Sequence, residues 1–232
     1  MRLSRFVLAA ALLAAGALLA PAPARADDTA DFLKIENWEG RTDIWKIDPT
    51  AKTVVGETNE DPKYNTFFCS KKKYSDFELS FKVLLRDAVG NSGVQIRSER
   101  TDKDDPANKQ PFRVKGPQVD VGKGYWGSLY GEGVGGMMKA SSADAIKKAV
   151  KESEFNEYKI VAKGTRITIT VNGEKMVDQD FPKLPGRKDK DGKEIEGGPA
   201  PKDGIIAFQA HGGYAKMRVE FKDIVFTDLS KK

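Results

Sequence analysis

Four short stretches hold side chains suited to acid–base and hydrogen-bonding chemistry. In Asn91-Ser92-Gly93-Val94-Gln95-Ile96-Arg97-Ser98-Glu99 the residues alternate. An extended strand there puts Val94 and Ile96 on one face and Gln95, Arg97 and Glu99 on the other. Gly116-Pro117-Gln118-Val119-Asp120-Val121 repeats the pattern, with Gln118 and Asp120 opposite the two valines. Later, Phe208 and Ala210 alternate with Gln209 and His211. If these three strands are neighbours, amides, a guanidinium, carboxyls and an imidazole converge on one patch. Bidentate guanidinium and amide groups match sugar hydroxyls and carbonyls. Alternation alone also describes the wetted side of an antiparallel sheet. A wetted face usually favours Lys, Glu and Thr, so this composition tips the reading towards a site.

The fourth stretch is Gly124-Tyr125-Trp126-Gly127-Ser128-Leu129-Tyr130-Gly131-Glu132-Gly133, three aromatics interleaved with glycines. It reads as a loop in which Tyr125, Trp126 and Tyr130 stack on the C–H faces of sugars and the glycines let the backbone come close. Glu132 is then a carboxyl acid tuned by its neighbours. For Trp126 a plug in one end of a hydrophobic core is an equal alternative.

The elements that must position these residues are mostly strands. Period-two alternation recurs in 77–83, 158–162, 167–171, 205–210, 217–221 and 224–226. Asn172-Gly173 marks a tight hairpin, with Glu174–Val177 as the return strand. Trp38-Glu39-Gly40 and Trp45-Lys46-Ile47 read as an amino-terminal strand and turn. One helix is expected over Ala143–Lys151, capped by Ser141 or Ser142 and lying as a strap across one end of the sheets. About ten short strands and one helix predict an all-β sandwich or barrel. Thr101–Lys109 and Pro182–Lys202 read as long loops.

Composition narrows the chemistry. The chain has 232 residues and a net charge of +5. Arg2 and Arg5, an uncharged run from Phe6 to Ala24 and the Ala24-Arg25-Ala26 pattern read as a secretory signal peptide over residues 1–26. Pro21 and Pro23 at its end argue against a retained membrane anchor. Its removal leaves 206 residues as one domain (27–232) and takes three arginines, so the charge falls to +2. The protein is therefore expected to be exported, periplasmic or secreted. Its charge gives no support to nucleic-acid binding. Cys69 stands alone, which excludes an intrachain disulfide and thiolate zinc clusters; it reads as a small buried residue. His211 is the one histidine, which excludes two-His metal sites. Asp189-Lys190-Asp191-Gly192 fails as a calcium loop, because Arg187 and Gly198 fall at the first and closing ligand positions. No metal site or cofactor is expected; a divalent cation, if any, is a hard one held by Asp120, Glu99 and His211.

The same segments, taken together, resemble the 3-keto-disaccharide hydrolase domain family. The resemblance rests on Tyr74-Ser75-Asp76-Phe77-Glu78-Leu79, Asn91–Arg97, Gln118-Val119-Asp120, Glu154–Tyr158, Val171-Asn172-Gly173, Gly204–Gly213 and Glu220–Ile224, in order along nearly the whole mature chain. It implies a concanavalin A-like jelly-roll sandwich with a carbohydrate site on its concave sheet, and hydrolysis of glycosides oxidised at carbon 3. The chain departs from the pattern at Phe155, where relatives usually have Trp. It departs also at Gly116, where they often have an acid. The implied reaction needs a base at carbon 2, an enolate stabiliser and an acid for the leaving oxygen. Arg97, Gln118 and Gln209 would hold the keto oxygen and hydroxyls, with Asp120 or His211 as base and Glu132 or Glu99 as acid. A glycan-binding module without catalysis and a two-carboxylate glycosidase stay open as alternatives.

Overall fold

The computed structural model describes residues 27–101, 110–188 and 191–231. The expected signal peptide and residues 102–109 lie outside the described residues, as do Asp189 and Lys190. In chain order the strands are β1 (Trp38–Glu39), β2 (Trp45–Asp48), β3 (Thr53–Thr58), β4 (Thr66–Ser70), β5 (Phe77–Leu85), β6 (Asn91–Arg100), β7 (Val114–Gly122) and β8 (Leu129–Glu132). There follow β9 (Gly136–Lys139), β10 (Asn156–Lys163), β11 (Arg166–Val171), β12 (Glu174–Asp180), β13 (Arg187–Lys188), β14 (Glu194–Ile195), β15 (Ile205–Ala210) and β16 (Met217–Asp228). One sheet runs β1-β4-β15-β6-β7-β8-β9 and the other β12-β11-β10-β5-β16-β3-β2. The three strands singled out for their polar faces, β15, β6 and β7, are adjacent in the first sheet.

Alternation drives this packing. In β5 every second residue, Phe77, Leu79, Phe81, Val83 and Leu85, is buried. These meet Val94, Ile96, Val119, Val121 and Phe208 from the facing sheet in one core. The Phe208 and Phe221 rings lie 4.6 Å apart across it. Each such buried side chain stabilises the fold by roughly 1.5–3 kcal/mol.

Turns and caps follow local chemistry. Asn172 and Gly173 both have positive φ, as a two-residue hairpin turn requires. The Asn172 amide donates to Ala149 O at 2.8 Å and so pins the carboxyl end of the helix Ala143–Ala149 to this turn. Ser142 Oγ caps that helix by accepting from Ala145 N at 3.1 Å. The helix stops two residues before the expected Lys151, because the Asn156 side chain binds both Lys151 N and Lys151 O at 2.9 Å.

Two expectations are corrected. The described residues of 182–202 form a paired ribbon rather than an open loop: β13 pairs with β14, and Leu184 N donates to Gly198 O at 2.9 Å. A ribbon exposed on both faces needs no apolar alternation, so its sequence carried no strand signal. The Gly124–Gly133 stretch is a turn only in its first half; Tyr130 and Glu132 stand on β8.

Candidate active site

The outer face of the first sheet has two halves. Phe67, Cys69, Val114, Ile205 and Ala207 form a small dry cluster on it, where Phe67 N donates to Phe112 O at 3.0 Å. Beside it lies a cavity of about 350 Å³ lined by Asn65, Asn91, Gln118, Asp120, Tyr125, Tyr130, Glu132, Gln209 and His211. That volume lies at the lower end of the roughly 300–1,000 Å³ usual for small-molecule sites.

Register explains the convergence. Gln95 pairs with Gln118, and Gln118 with Tyr130, so their side chains share one face across β6, β7 and β8. Asp120 pairs with Gly93. A Cβ at Gly93 would lie 2.7 Å from Gln118 Cδ. The missing side chain lets Gln118 cross over β6 and reach Gln209 on β15. The result is a buried amide chain. Ser98 Oγ lies 2.7 Å from the Gln95 amide, Gln95 is 2.9 Å from Gln118, and Gln118 is 2.8 Å from Asp120 Oδ1 and 3.3 Å from Gln209 Oε1. Gln209 is fully buried, and its Nε2 has no hydrogen-bond partner. A buried donor left so is costly unless a ligand completes it.

Asp120 is fixed by its backbone: its N donates to Ser128 O at 2.9 Å, and its O accepts from Tyr158 Oη at 3.1 Å. Burial raises its carboxyl to about 7, the Gln118 contact lowers it and the Glu132 charge raises it. Glu132 Oε1 accepts from Asn65 Nδ2 at 3.1 Å, and Asn65 Oδ1 accepts from Gly212 N at 3.1 Å. Asn65 thus ties Glu132 to the loop that carries His211. The His211 Nδ1 lies against the Gly212 carbonyl. A carbonyl only accepts, so in the neutral ring the proton is on Nδ1 and the lone pair on Nε2. Burial, then the charges of Glu132 and Asp120, raise the Tyr130 hydroxyl. Tyr125 is half exposed at the rim.

Of the residues singled out in the sequence, Asp120, His211, Glu132, Gln118, Gln209, Tyr125 and Tyr130 come together at the cavity, with Gln95 beneath it. Three do not. Between Gln95 and Glu99 β6 carries one extra residue relative to β7, and Arg97 sits there with φ 46°. The bulge reverses the alternation. Ser98 replaces Arg97 beside Gln95, while Glu99 turns away, largely exposed, and pairs with Lys115 Nζ at 2.8 Å. Arg97 points to the other sheet. It donates to Ser75 O at 2.6 Å, to Asp76 Oδ1 at 3.0 Å and to Gly164 O. Trp126 is buried in the core, as in the alternative reading of its stretch. With Glu99 elsewhere, the cation set Asp120, Glu99 and His211 is not assembled, and no cluster of three metal-ligating residues occurs among the described residues. Asn65 and Asn91 line the cavity but were not singled out. Asn91 opens the motif that resembles the family; Asn65 precedes β4 with no local signal.

Gly116 has φ 140°, and a Cβ there would lie 2.3 Å from Ser98 Oγ. The backbone at this position has no room for the acid that relatives often carry.

Several solved structures share this architecture. A protein designated "putative glycosyl hydrolase" from Parabacteroides distasonis matches with a TM-score of 0.55 at 22% identity, over 84% of this chain and 94% of that one. A Bacillus subtilis protein with a galectin-like fold matches with a TM-score of 0.53 at 12% identity, over 84% and 90%. The carbohydrate-binding module CBM66 from Bacillus subtilis matches with a TM-score of 0.50 at 12% identity, over 82% and 95%. At these identities the likeness is one of fold, and that fold is the expected all-β jelly-roll sandwich. No curated protein matches the sequence. The profile of the 3-keto-alpha-glucoside-1,2-lyase-like domain matches residues 31–227, so the chain belongs to the family of 3-keto-disaccharide hydrolase domains.

Proposed function

We propose that this protein cleaves glycosides whose sugar bears a ketone at carbon 3, by elimination across carbons 1 and 2 and then addition of water. The observation that carries the reading is the buried, unpartnered amide of Gln209 in a cavity that also presents a near-neutral carboxyl and an imidazole lone pair. The ketone acidifies the proton on carbon 2. His211 Nε2 takes that proton, and the electron pair moves to the keto oxygen as an enolate. Gln209 Nε2 donates to that oxygen. The enolate then expels the substituent at carbon 1, and its oxygen takes the proton of Asp120. This first half is a lyase reaction and leaves a double bond between carbons 1 and 2. Water adds across it: hydroxide to carbon 1 with its proton returning to Asp120, and the His211 proton to carbon 2. Both groups end as they began. Glu132 and Asn65 border the sugar, and Tyr125 offers a rim for stacking.

The test is release of free sugar from a 3-keto-glucoside. Asp120→Asn and His211→Ala each lower kcat by about 100-fold or more. No turnover by the wild-type protein overturns the reading. Two carboxyls, Asp120 and Glu132, on one cavity also suit a conventional glycosidase; turnover of unoxidised glycosides would favour that. Binding of keto and ordinary glycans without turnover would favour a binding module. Residues 1–26 are read as an export signal that places the mature protein outside the cytoplasm.

A further inference from the structure

The amide chain beneath the cavity has a direction, and its far end sets it. The amide atom of Gln95 nearest Ser98 also lies 3.2 Å from Pro117 O and 3.3 Å from Gly116 O. Both are backbone carbonyls, which accept and never donate. An oxygen there is repelled by two fixed dipoles; an NH₂ satisfies them, with Ser98 Oγ as a third acceptor. Ser98 can serve because its own proton has Ile96 O at 3.0 Å. With Nε2 so placed, Gln95 Oε1 faces Gln118 and must meet an NH₂. Gln118 then turns its oxygen to Asp120 Oδ1, 2.8 Å away. Two oxygens at that separation need a proton between them.

We propose that the carbonyls of Gly116 and Pro117, acting through the Gln95 and Gln118 amides, hold Asp120 as a protonated carboxylic acid that donates to Gln118. Gln95 and Gln118 are positioning residues for the proton that the leaving oxygen receives, a use that rests on the reaction proposed above. The protonation itself does not. The groups facing Asp120 agree with it: Glu132 on β8 is an acid, Tyr130 and Tyr125 are phenols, and Tyr158 from the other sheet binds its backbone oxygen. His211, after β15, is the one basic group lining the cavity. Burial independently favours the neutral carboxyl.

The test reads Asp120 by carbon-13 carboxyl titration in the ligand-free protein, with the signal assigned through Asp120→Asn. In the wild type the Gln118 side-chain amide signals move with the same midpoint as the Asp120 carboxyl, because the amide reverses when the proton leaves. Gln95→Leu frees Gln118 to donate to the carboxylate and lowers the midpoint by about 1 pH unit. Ser98→Ala removes the one donor able to support the reversed orientation, so the midpoint does not fall. General damage to the sheet would move both variants the same way. Gln118 signals constant through the Asp120 titration, an unchanged midpoint in Gln95→Leu, or a lowered one in Ser98→Ala overturns the proposal. Because no substrate is present, these results stand apart from success or failure of the keto-glycoside assay.

Discussion

Asp120 couples the site to pH at the scale of one residue. Its carboxyl is raised from 3.8 to about 7 in the folded protein, chiefly by burial. The native state therefore holds a proton that the unfolded chain has released between those values. Stability from this group is full below about pH 4 and is lost as pH rises through about 7. Asp120→Asn lacks the dependence. Thermal melts of the two proteins will show the wild type losing ground to the variant from about pH 4 to about pH 7, with a constant difference above. Turnover of the keto-glycoside by the wild type will fall over the upper part of the same range, as the acid is lost. A parallel pair of melting profiles would show that Asp120 titrates normally. None of this was legible in the sequence. Asp120 could be placed on a polar face, but its burial depends on chain far away.

The decisive features at the scale of elements are the gap in β6 and its bulge. Gly93→Ala puts a methyl group 2.7 Å from Gln118 Cδ. The flexible side chain yields, so stability falls by only about 1 kcal/mol. The displaced amide loses both Asp120 and Gln209, and keto-glycoside turnover drops by about tenfold or more while the melt stays cooperative. Arg97→Met behaves in the opposite way. The guanidinium joins the two sheets, and its loss leaves Ser75 O, Gly164 O and the partly exposed Asp76 without it. Stability falls by about 2–3 kcal/mol in a denaturant titration, less than the roughly 3–5 kcal/mol of a fully buried broken pair, because Asp76 is partly exposed. The kcat/KM of the folded fraction is unchanged, because Arg97 does not reach the cavity. Alternation located the strand and the wrong side chain together: a period of two holds only until an extra residue enters, and no residue type in 95–99 announces that.

The sandwich explains, at the scale of the whole molecule, why a polar site can be so dry. The inner face of the first sheet is sealed by the core, and part of its outer face by the small cluster around Phe67, whose backbone N–H is taken by Phe112 O. The polar half of that outer face is thus flanked by apolar surface. Desolvation there is what raises Asp120 and what makes an unpartnered Gln209 amide a strong donor to a ligand. The proposed export signal belongs to the scale of the full chain. Recovered from the periplasm or medium of its producing cell, the mature protein will begin at Asp27 by amino-terminal sequencing. A start at Met1 would mean that residues 1–26 are retained.

The sequence alone determined the sheet content, the Asn172-Gly173 hairpin, the capped helix and three polar strand faces, because each follows from local period or turn chemistry. It also determined that an intrachain disulfide, thiolate zinc clusters and paired-histidine sites are absent, since counting suffices for that. Tertiary structure decided which polar residues share a cavity. Neighbouring strands come from distant parts of the chain, a single inserted residue at Arg97 exchanged Ser98 for Arg97 beside Gln95, and Asn65 entered from a segment with no signal of its own. It also decided that the Asp120 carboxyl is raised, because the water taken from Asp120 is excluded by residues far from it in the chain.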